Sequence, residues 1–168
     1  MAEITIRHEL DCDEDTFWKC VFDDEYNRRL YLERLQFPGY KILEQKDEAT
    51  SILRKVHIDP PVAGLPGPVK KLVGDRLSYV EEGTFDKAKK RYTFTVRPST
   101  LAEKTSTKGD LWTEKLGDKR VARLAKVTVE VKVFAVGGLV EDKIIGDLRA
   151  SYEAAARFTN EYVKEKGW

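Results

Sequence analysis

The 168-residue chain is 41% hydrophobic and 35% charged, which provides enough apolar material for a core and argues against disorder. Its 30 basic and 29 acidic residues leave a net charge of +1, which excludes a strong overall field for nucleic acid or anionic lipid. This length suits one compact domain, and residues 1–168 are predicted to form one.

The first residues contain no basic region followed by a long apolar stretch. We therefore predict neither a secretory signal nor a membrane span, and the cytoplasm is the default location. The only cysteines, Cys12 and Cys20, have no CxxC motif or Cys/His cluster beside them. Buried neutral thiols are favoured over a redox pair or a metal site, and neither a metal nor a cofactor is expected.

The chain opens with a predicted strand and a helical region. Residues 3–10 place Ile4, Ile6, His8 and Leu10 on one face, which is the period of a half-buried strand. The acidic run that follows supplies helix N-caps. Apolar positions at helical spacing on both sides of a polar stretch predict two short helices with a bend, which end at a Phe-Pro-Gly segment.

A run of strands is predicted from Tyr40 onward, because period-two segments alternate with short turns rich in Asp, Lys and Gly. The predicted strands are 40–47, 50–59, 75–86, 90–98, 104–116 and 119–134. In the last strand, alternate valines from Val127 to Val133 share one face, and the pair Gly137-Gly138 is predicted to break it.

A long helix is predicted from Leu139 to about Lys166, since this stretch has no proline and its apolar residues recur at helical spacing. At about 1.5 Å rise per residue, it would be on the order of 40 Å long and could cross a small sheet. Its apolar stripe contains Ile144 or Ile145, Leu148, Tyr152, Ala155, Thr159 and Tyr162.

Residues 60–74 do not fit a hairpin, because the segment is long and rich in proline, glycine and aliphatic side chains. Loops of this length are usually functional or disordered, and the aliphatic content argues against disorder. We predict a lid or gate, whose apolar residues are Leu65, Pro66, Val69 and Leu72. Lys70 and Lys71 lie among these apolar residues, which suits either transient contact with a membrane surface or a short helix that caps a pocket mouth.

This order of elements resembles the START-like superfamily, also called the birch-pollen-allergen-like or helix-grip fold. The residues that carry the resemblance are the opening strand and acidic helix start, the segment Leu-Pro-Gly-Pro-Val-Lys-Lys-Leu-Val-Gly and the Gly-Gly-Leu-Val-Glu-Asp that leads into the final helix. The closest resemblance is to uncharacterised bacterial members. It implies an α+β fold in which a curved antiparallel sheet of about seven strands grips the C-terminal helix. It also implies a hollow that relatives use for apolar ligands such as sterols, phospholipids and polyketides.

Catalytic motifs are missing, since no HExxH, P-loop, GxGxxG or GxSxG pattern occurs. His8 is expected on the apolar side of the first strand as a hydrogen-bonded wall residue, and His57 is expected to face the surface. Neither histidine alone supports an enzyme.

Arg123 is the most specific candidate for a polar site. Counting back by twos from the valines places it on the inner face, where it should meet a buried carboxylate or an anionic ligand head group. A β-bulge near residues 122–125 would instead turn Leu124 inward and expose Arg123. Both alternatives remain open from the sequence.

Aromatic residues are spread where a pocket would need walls with polar handles, although a filled core uses the same residue types. Tyr92, Phe158 and Tyr162 belong to this set. The predicted ligand-binding residues are Tyr79, Phe94, Trp112, Arg123, Leu148 and Tyr152. The basic cluster Lys87, Lys89, Lys90 and Arg91 is predicted to be a solvated hairpin tip rather than a phosphate site.

The leading functional prediction is non-catalytic binding or transport of a hydrophobic small molecule or lipid between the sheet and the C-terminal helix. One alternative is a cyclase or dehydratase acting on a polyketide-like substrate, which needs titratable groups that converge in the hollow, such as His8 with Arg123 or Tyr79. Another is a protein-interaction module with a filled core and an exposed apolar patch.

Overall fold

One seven-stranded antiparallel sheet forms the frame of the protein, in a computed structural model that describes all residues from Met1 to Trp168. Its strands are β1 (Ala2–Leu10), β2 (Gly39–Asp47), β3 (Ser51–Asp59), β4 (Tyr79–Asp86), β5 (Arg91–Pro98), β6 (Thr105–Gly117) and β7 (Arg120–Val131). The order β1-β7-β6-β5-β4-β3-β2 is a meander with the first strand added beside the last. The predicted α+β helix-grip architecture is confirmed, although β4 starts later and β7 ends earlier than expected.

Two aspartates set the helices that follow β1. The Asp13 carboxylate accepts a hydrogen bond from the Thr16 amide at 2.7 Å and starts α1 (Glu14–Val21). The Asp23 carboxylate accepts from the Tyr26 amide at 2.9 Å and starts α2 (Asp24–Arg28). The polar stretch expected to be a bend is therefore itself helical, because Asp23 caps it. A π-helical turn, Arg29–Arg34, continues from α2.

The long helix α4 (Gly137–Lys166) begins two residues earlier than predicted. The glycine pair does not break β7, which has already ended at Val131. It opens the helix instead. A Cβ at Gly137 would lie 2.3 Å from the Val131 carbonyl oxygen, so only glycine fits this close approach. Glu141 then accepts a hydrogen bond from the Val131 amide at 2.8 Å, which ties the start of the helix to the end of the strand.

Helix α4 packs most closely on β1 and β7, where its C-terminal half joins the core. Val127, Val129 and Val131 are buried beneath it, which confirms the inner face assigned to β7. Cys12 and Cys20 are buried free thiols in the same core, and burial raises their pKa values to about 11 and about 12. None of the helices is both long enough and apolar enough to cross a membrane.

Candidate ligand-binding site

The concave face of the sheet collects most of the predicted site residues. Tyr79 lies opposite Ile58 of β3, and Phe94 lies opposite Gly83 of β4, all on the side that faces the interior. Phe94 also covers Gly109, whose Cβ would lie 2.2 Å from its ring. From the other side, α4 contributes Leu148 and Tyr152, which pack against the core without being fully buried.

Trp112 does not belong to this set, and its assignment to the pocket was wrong. It pairs with Arg91 and Leu124, whereas its neighbour Leu111 pairs with the inward residues Tyr92 and Ala125. Because successive residues of a strand point to opposite faces, Trp112 lies on the convex face. There the Arg91 guanidinium lies 4.8 Å from its ring centre.

The interior apolar surface is not one continuous core. Val56 and Ile58 of β3 are each 1% exposed, and Val69 of the 60–74 segment is 3% exposed. These three residues nevertheless lie outside the contiguous cluster of 23 buried apolar residues. Val56, Ile58 and Val69 therefore form an apolar group separate from the main core.

Tyr79 pairs with Ile58 of the second apolar group, and Tyr152 packs against the main core. Both keep partial accessibility, yet burial is the largest cause of the increase in the pKa of each, which reaches about 12 for Tyr152. The hydroxyl groups of Tyr79 and Tyr152 therefore lie in poorly solvated surroundings.

One polar cluster on the concave face centres on Arg54. Its Nη2 donates to Glu81 Oε1 at 3.1 Å and its Nη1 donates to the Val21 carbonyl oxygen at 2.7 Å. The Tyr92 hydroxyl donates to the same Glu81 oxygen at 3.0 Å. Burial acts to lower the pKa of Arg54, but Tyr92 and Glu81 outweigh that effect and raise it. Arg54 is therefore a buried cation with a matched carboxylate.

A second polar cluster centres on Arg123, which is 4% exposed. Strands β1 and β7 pair without interruption from Ala2–Val129 to Leu10–Val121, so the alternative β-bulge does not occur and Arg123 points inward opposite His8. Its Nη2 donates to His8 Nδ1 at 2.9 Å and to the Tyr152 carbonyl oxygen at 2.8 Å. The guanidinium lies 4.9 Å from the Tyr152 ring centre. The sequence predicted either a buried carboxylate or an anionic ligand head group beside Arg123. No carboxylate of the protein contacts it.

Two further tyrosines join the interior wall from outside the predicted set. Tyr31 of the π-helical turn stacks on Tyr40 of β2 with ring centres 4.8 Å apart. The Tyr40 hydroxyl is buried without a hydrogen-bond partner, and burial raises its pKa to about 12. Burial also raises the pKa of Tyr31 well above its ordinary value.

The predicted gate segment contains a short helix, α3 (Gly67–Val73). A short helix was one of the two alternatives predicted for it. Val69 turns inward, whereas Leu65, Pro66 and Leu72 are half-buried and Lys70 and Lys71 are exposed. Val69 is thus the single buried side chain of α3. That the segment opens as a gate stays a prediction.

A recess of about 390 Å³ lies at the opposite end of the sheet from α3, between α1 and the end of β2, the start of β3 and the end of β4. Trp18, Phe22 and Phe85 form its aromatic wall. None of the predicted site residues lines this recess, which was therefore not predicted. His57 faces outward as expected, with its Nε2 2.9 Å from Asp59.

The profile of the family described as "Protein of unknown function (DUF2505)" matches residues 5–163. The chain belongs to this family. Among curated proteins, no sequence matches it.

Solved structures share the fold of this DUF2505 chain at low sequence identity. Zhui aromatase/cyclase from a Streptomyces species has a TM-score of 0.71 at 9% identity over 99% of this chain and 96% of its own. A START superfamily protein from Mycobacterium smegmatis has a TM-score of 0.64 at 15% identity over 97% of each chain. Norcoclaurine synthase from Thalictrum flavum has a TM-score of 0.63 at 14% identity over 98% of this chain and 87% of its own. These similarities show that the DUF2505 chain has the START-like helix-grip fold.

Two of the interior residues that were not predicted, Arg54 and Glu81, could have been found from the sequence pattern and the strand register. Arg54 alternates with Val56 and Ile58, so the same counting by twos that placed Arg123 inside also places Arg54 inside. Glu81 follows from the register that sets it opposite Val56. Tyr31 carries no comparable signal, because its position depends on the π-helical turn.

Proposed function

We propose that this protein binds an apolar small molecule, such as a lipid or a polyketide-like compound, in the hollow between the concave sheet face and α4. The observation that carries the proposal is the separation of the buried residues Val56, Ile58 and Val69 from the main apolar core. Aliphatic and aromatic walls with a few placed polar groups are the usual lining of small-molecule sites. The fold is also one whose members commonly bind hydrophobic ligands.

Extraction of the purified protein with organic solvent, followed by mass spectrometry, tests this proposal. We expect one class of apolar compound to co-purify and a panel of lipids and aromatic polyketides to contain binders. Leu148→Trp should fill the hollow from α4 and abolish binding. Leu116→Trp, at an exposed position in the β6–β7 hairpin, should leave binding unchanged. A protein that is always empty and binds nothing in the panel would refute the proposal.

The alternative of a cyclase or dehydratase gains one supporting observation, since His8 and Arg123 do converge. Zhui aromatase/cyclase and norcoclaurine synthase, which share the fold, are enzymes by name. However, His8 Nδ1 accepts from Arg123, so the neutral ring carries its proton on Nε2 and has no free lone pair for a base. Glu81 is likewise engaged by Arg54 and Tyr92. Binding without catalysis therefore fits the geometry better, and a poly-β-ketone substrate mimic should be bound without being cyclised.

We also propose transient contact with a membrane surface during ligand exchange. Strands β3 and β7 run in the same direction, so the α3 segment and the β7–α4 connection lie at the same end of the sheet. Phe134 in that connection is 98% exposed, and Lys70 and Lys71 are exposed on α3. Phe134→Ser should reduce co-sedimentation with phosphatidylglycerol vesicles, whereas Leu116→Ser at the opposite end should not. Equal co-sedimentation of all three proteins would argue against this contact.

A further inference from the structure

Two arginines are buried in this protein, and the fold treats them differently. Arg54 is matched by Glu81, while Arg123 has no carboxylate partner although it is the more deeply buried of the two. A buried charge without a counter-charge is costly, and proteins normally pair it or place it where a ligand supplies the opposite charge. The contrast within one sheet identifies Arg123 as the unusual residue.

Hydrogen bonding leaves most of the Arg123 guanidinium unused. A guanidinium has five N–H donors, and only Nη2 donates to protein atoms, to His8 and to the Tyr152 carbonyl. Nε is sealed and unpartnered. Nη1 also lacks a protein partner, but it keeps some accessible surface and is therefore free to donate to a ligand.

The surroundings of Arg123 supply dipoles and a ring but no negative charge. His8 accepts the hydrogen bond as a neutral imidazole, and burial followed by Arg123 itself lowers the pKa of this histidine. The Tyr26 hydroxyl is already bonded to Thr159 at 2.7 Å. Glu153, whose charge acts to raise the pKa of His8, is exposed on α4. The positive charge therefore remains uncompensated inside the hollow.

We propose that Arg123 receives the anionic head group of the ligand, and that the ligand is an apolar molecule ending in a carboxylate. This inference rests on the proposed function, because it names the ligand class of the same hollow. Tyr152 holds the guanidinium by its backbone and by its ring, so the aliphatic or aromatic body of the ligand would lie along Leu148 and Tyr79. A monoanion balances one arginine, whereas a phosphomonoester would bring an excess of negative charge.

Matched amphiphiles test the inference on the unmodified protein. Calorimetric titrations would compare carboxylates from octanoate to hexadecanoate with the alcohols of the same chain length. We expect each bound carboxylate to be preferred over its alcohol by on the order of tenfold or more, as a charge-assisted hydrogen bond provides. Equal affinity for acid and alcohol would overturn the inference and leave the proposed function intact. No binding of either series would count against both.

Two variants assign the preference to Arg123. Arg123→Met should abolish the discrimination by weakening carboxylate binding while alcohol binding is retained. Arg120→Met removes the same charge from the same strand, but Arg120 is exposed and pairs with Asp11, so the preference should persist. Retention of the preference in Arg123→Met would overturn the inference. If that variant does not fold, the comparison of acids with alcohols on the unmodified protein still decides the question.

Discussion

At the scale of single residues, the contact between His8 and Arg123 has a measurable consequence. Burial and the adjacent guanidinium both lower the pKa of His8, against a smaller opposing effect of Glu153. The folded protein therefore binds this proton less readily than the unfolded chain. The stabilisation from the neutral ring is present above the ordinary pKa of 6.5 and is lost as pH falls through the lowered value.

We predict that His8 titrates below 6.5 in the native protein, as measured by NMR with His57→Gln used to assign the signals. In Arg123→Met, the pKa of His8 should move upward, because one of its two lowering causes is gone. A value at or above 6.5 in the unmodified protein, or no change in Arg123→Met, would contradict this contact.

The Arg54–Glu81 pair predicts a large effect on stability. Glu81→Leu would leave Arg54 buried without a counter-charge and should reduce the free energy of unfolding by about 3–5 kcal/mol. The double variant Arg54→Met/Glu81→Leu should recover most of this loss, since it removes both charges. Urea denaturation of the three proteins measures the difference. A double variant as unstable as Glu81→Leu would mean that shape, and not charge, is what the pair provides.

The sequence alone left two alternatives for Arg123, which could point inward or be exposed by a β-bulge. The uninterrupted register between β1 and β7 settles it, and that register depends on pairing across the sheet, not on local sequence. The same limit explains the error at Trp112. A large aromatic residue suggested the interior, but the inward positions of β6 next to Trp112 include Leu111, which pairs with Tyr92, and Gly109, which the Phe94 ring covers.

At the scale of elements, the regular segments were predictable and the irregular ones were not. Period-two alternation gave the meander, and an unbroken apolar stripe gave α4. Helix α2 was mistaken for a bend, because its polar residues hide the single feature that creates it, the Asp23 cap. The start of α4 was misplaced because Gly137 is required by its close approach to the Val131 carbonyl oxygen. That contact forms only in the folded chain.

Helix α3 allows a test of the gate. Val69 is its only buried side chain and packs outside the main core, so Val69→Ala should loosen the segment with little effect on global stability. We expect faster hydrogen exchange across residues 60–74 and faster ligand release, with an almost unchanged unfolding midpoint. Lys71→Arg, which keeps the positive charge at an exposed position on the same helix, is the matched control. If exchange in this segment stays as slow as in the unmodified protein, Val69 does not hold it closed.

At the scale of the whole molecule, the sequence determined the helix-grip architecture but not the hollow that we propose inside it. The hollow depends on how far α4 stands from the central strands, and the same tyrosines would serve a filled core. Our proposal of a hollow rests on the separation of Val56, Ile58 and Val69 from the main core, which no local pattern encodes.

The buried thiols and tyrosines together predict a loss of stability in alkali. Burial raises the pKa of Cys12 to about 11 and the pKa values of Cys20, Tyr26, Tyr40 and Tyr152 to about 12. The unfolded chain releases these protons near 9.0 for cysteine and 10.0 for tyrosine, so it loses them before the folded protein does. Their stabilising effect is therefore fully present below pH 9.0 and is lost as pH rises through the folded values.

Urea denaturation at a series of pH values should show the free energy of unfolding falling steadily from pH 9.0 toward pH 11. The variant Cys12→Ala/Cys20→Ala removes the two thiols that titrate first, so its decline should begin near the tyrosine pKa of 10.0 instead. Both curves should meet the same steep loss at higher pH, because the buried tyrosines remain in each protein. A free energy that stays level through pH 11 would mean that these hydroxyls and thiols reach water in the folded state.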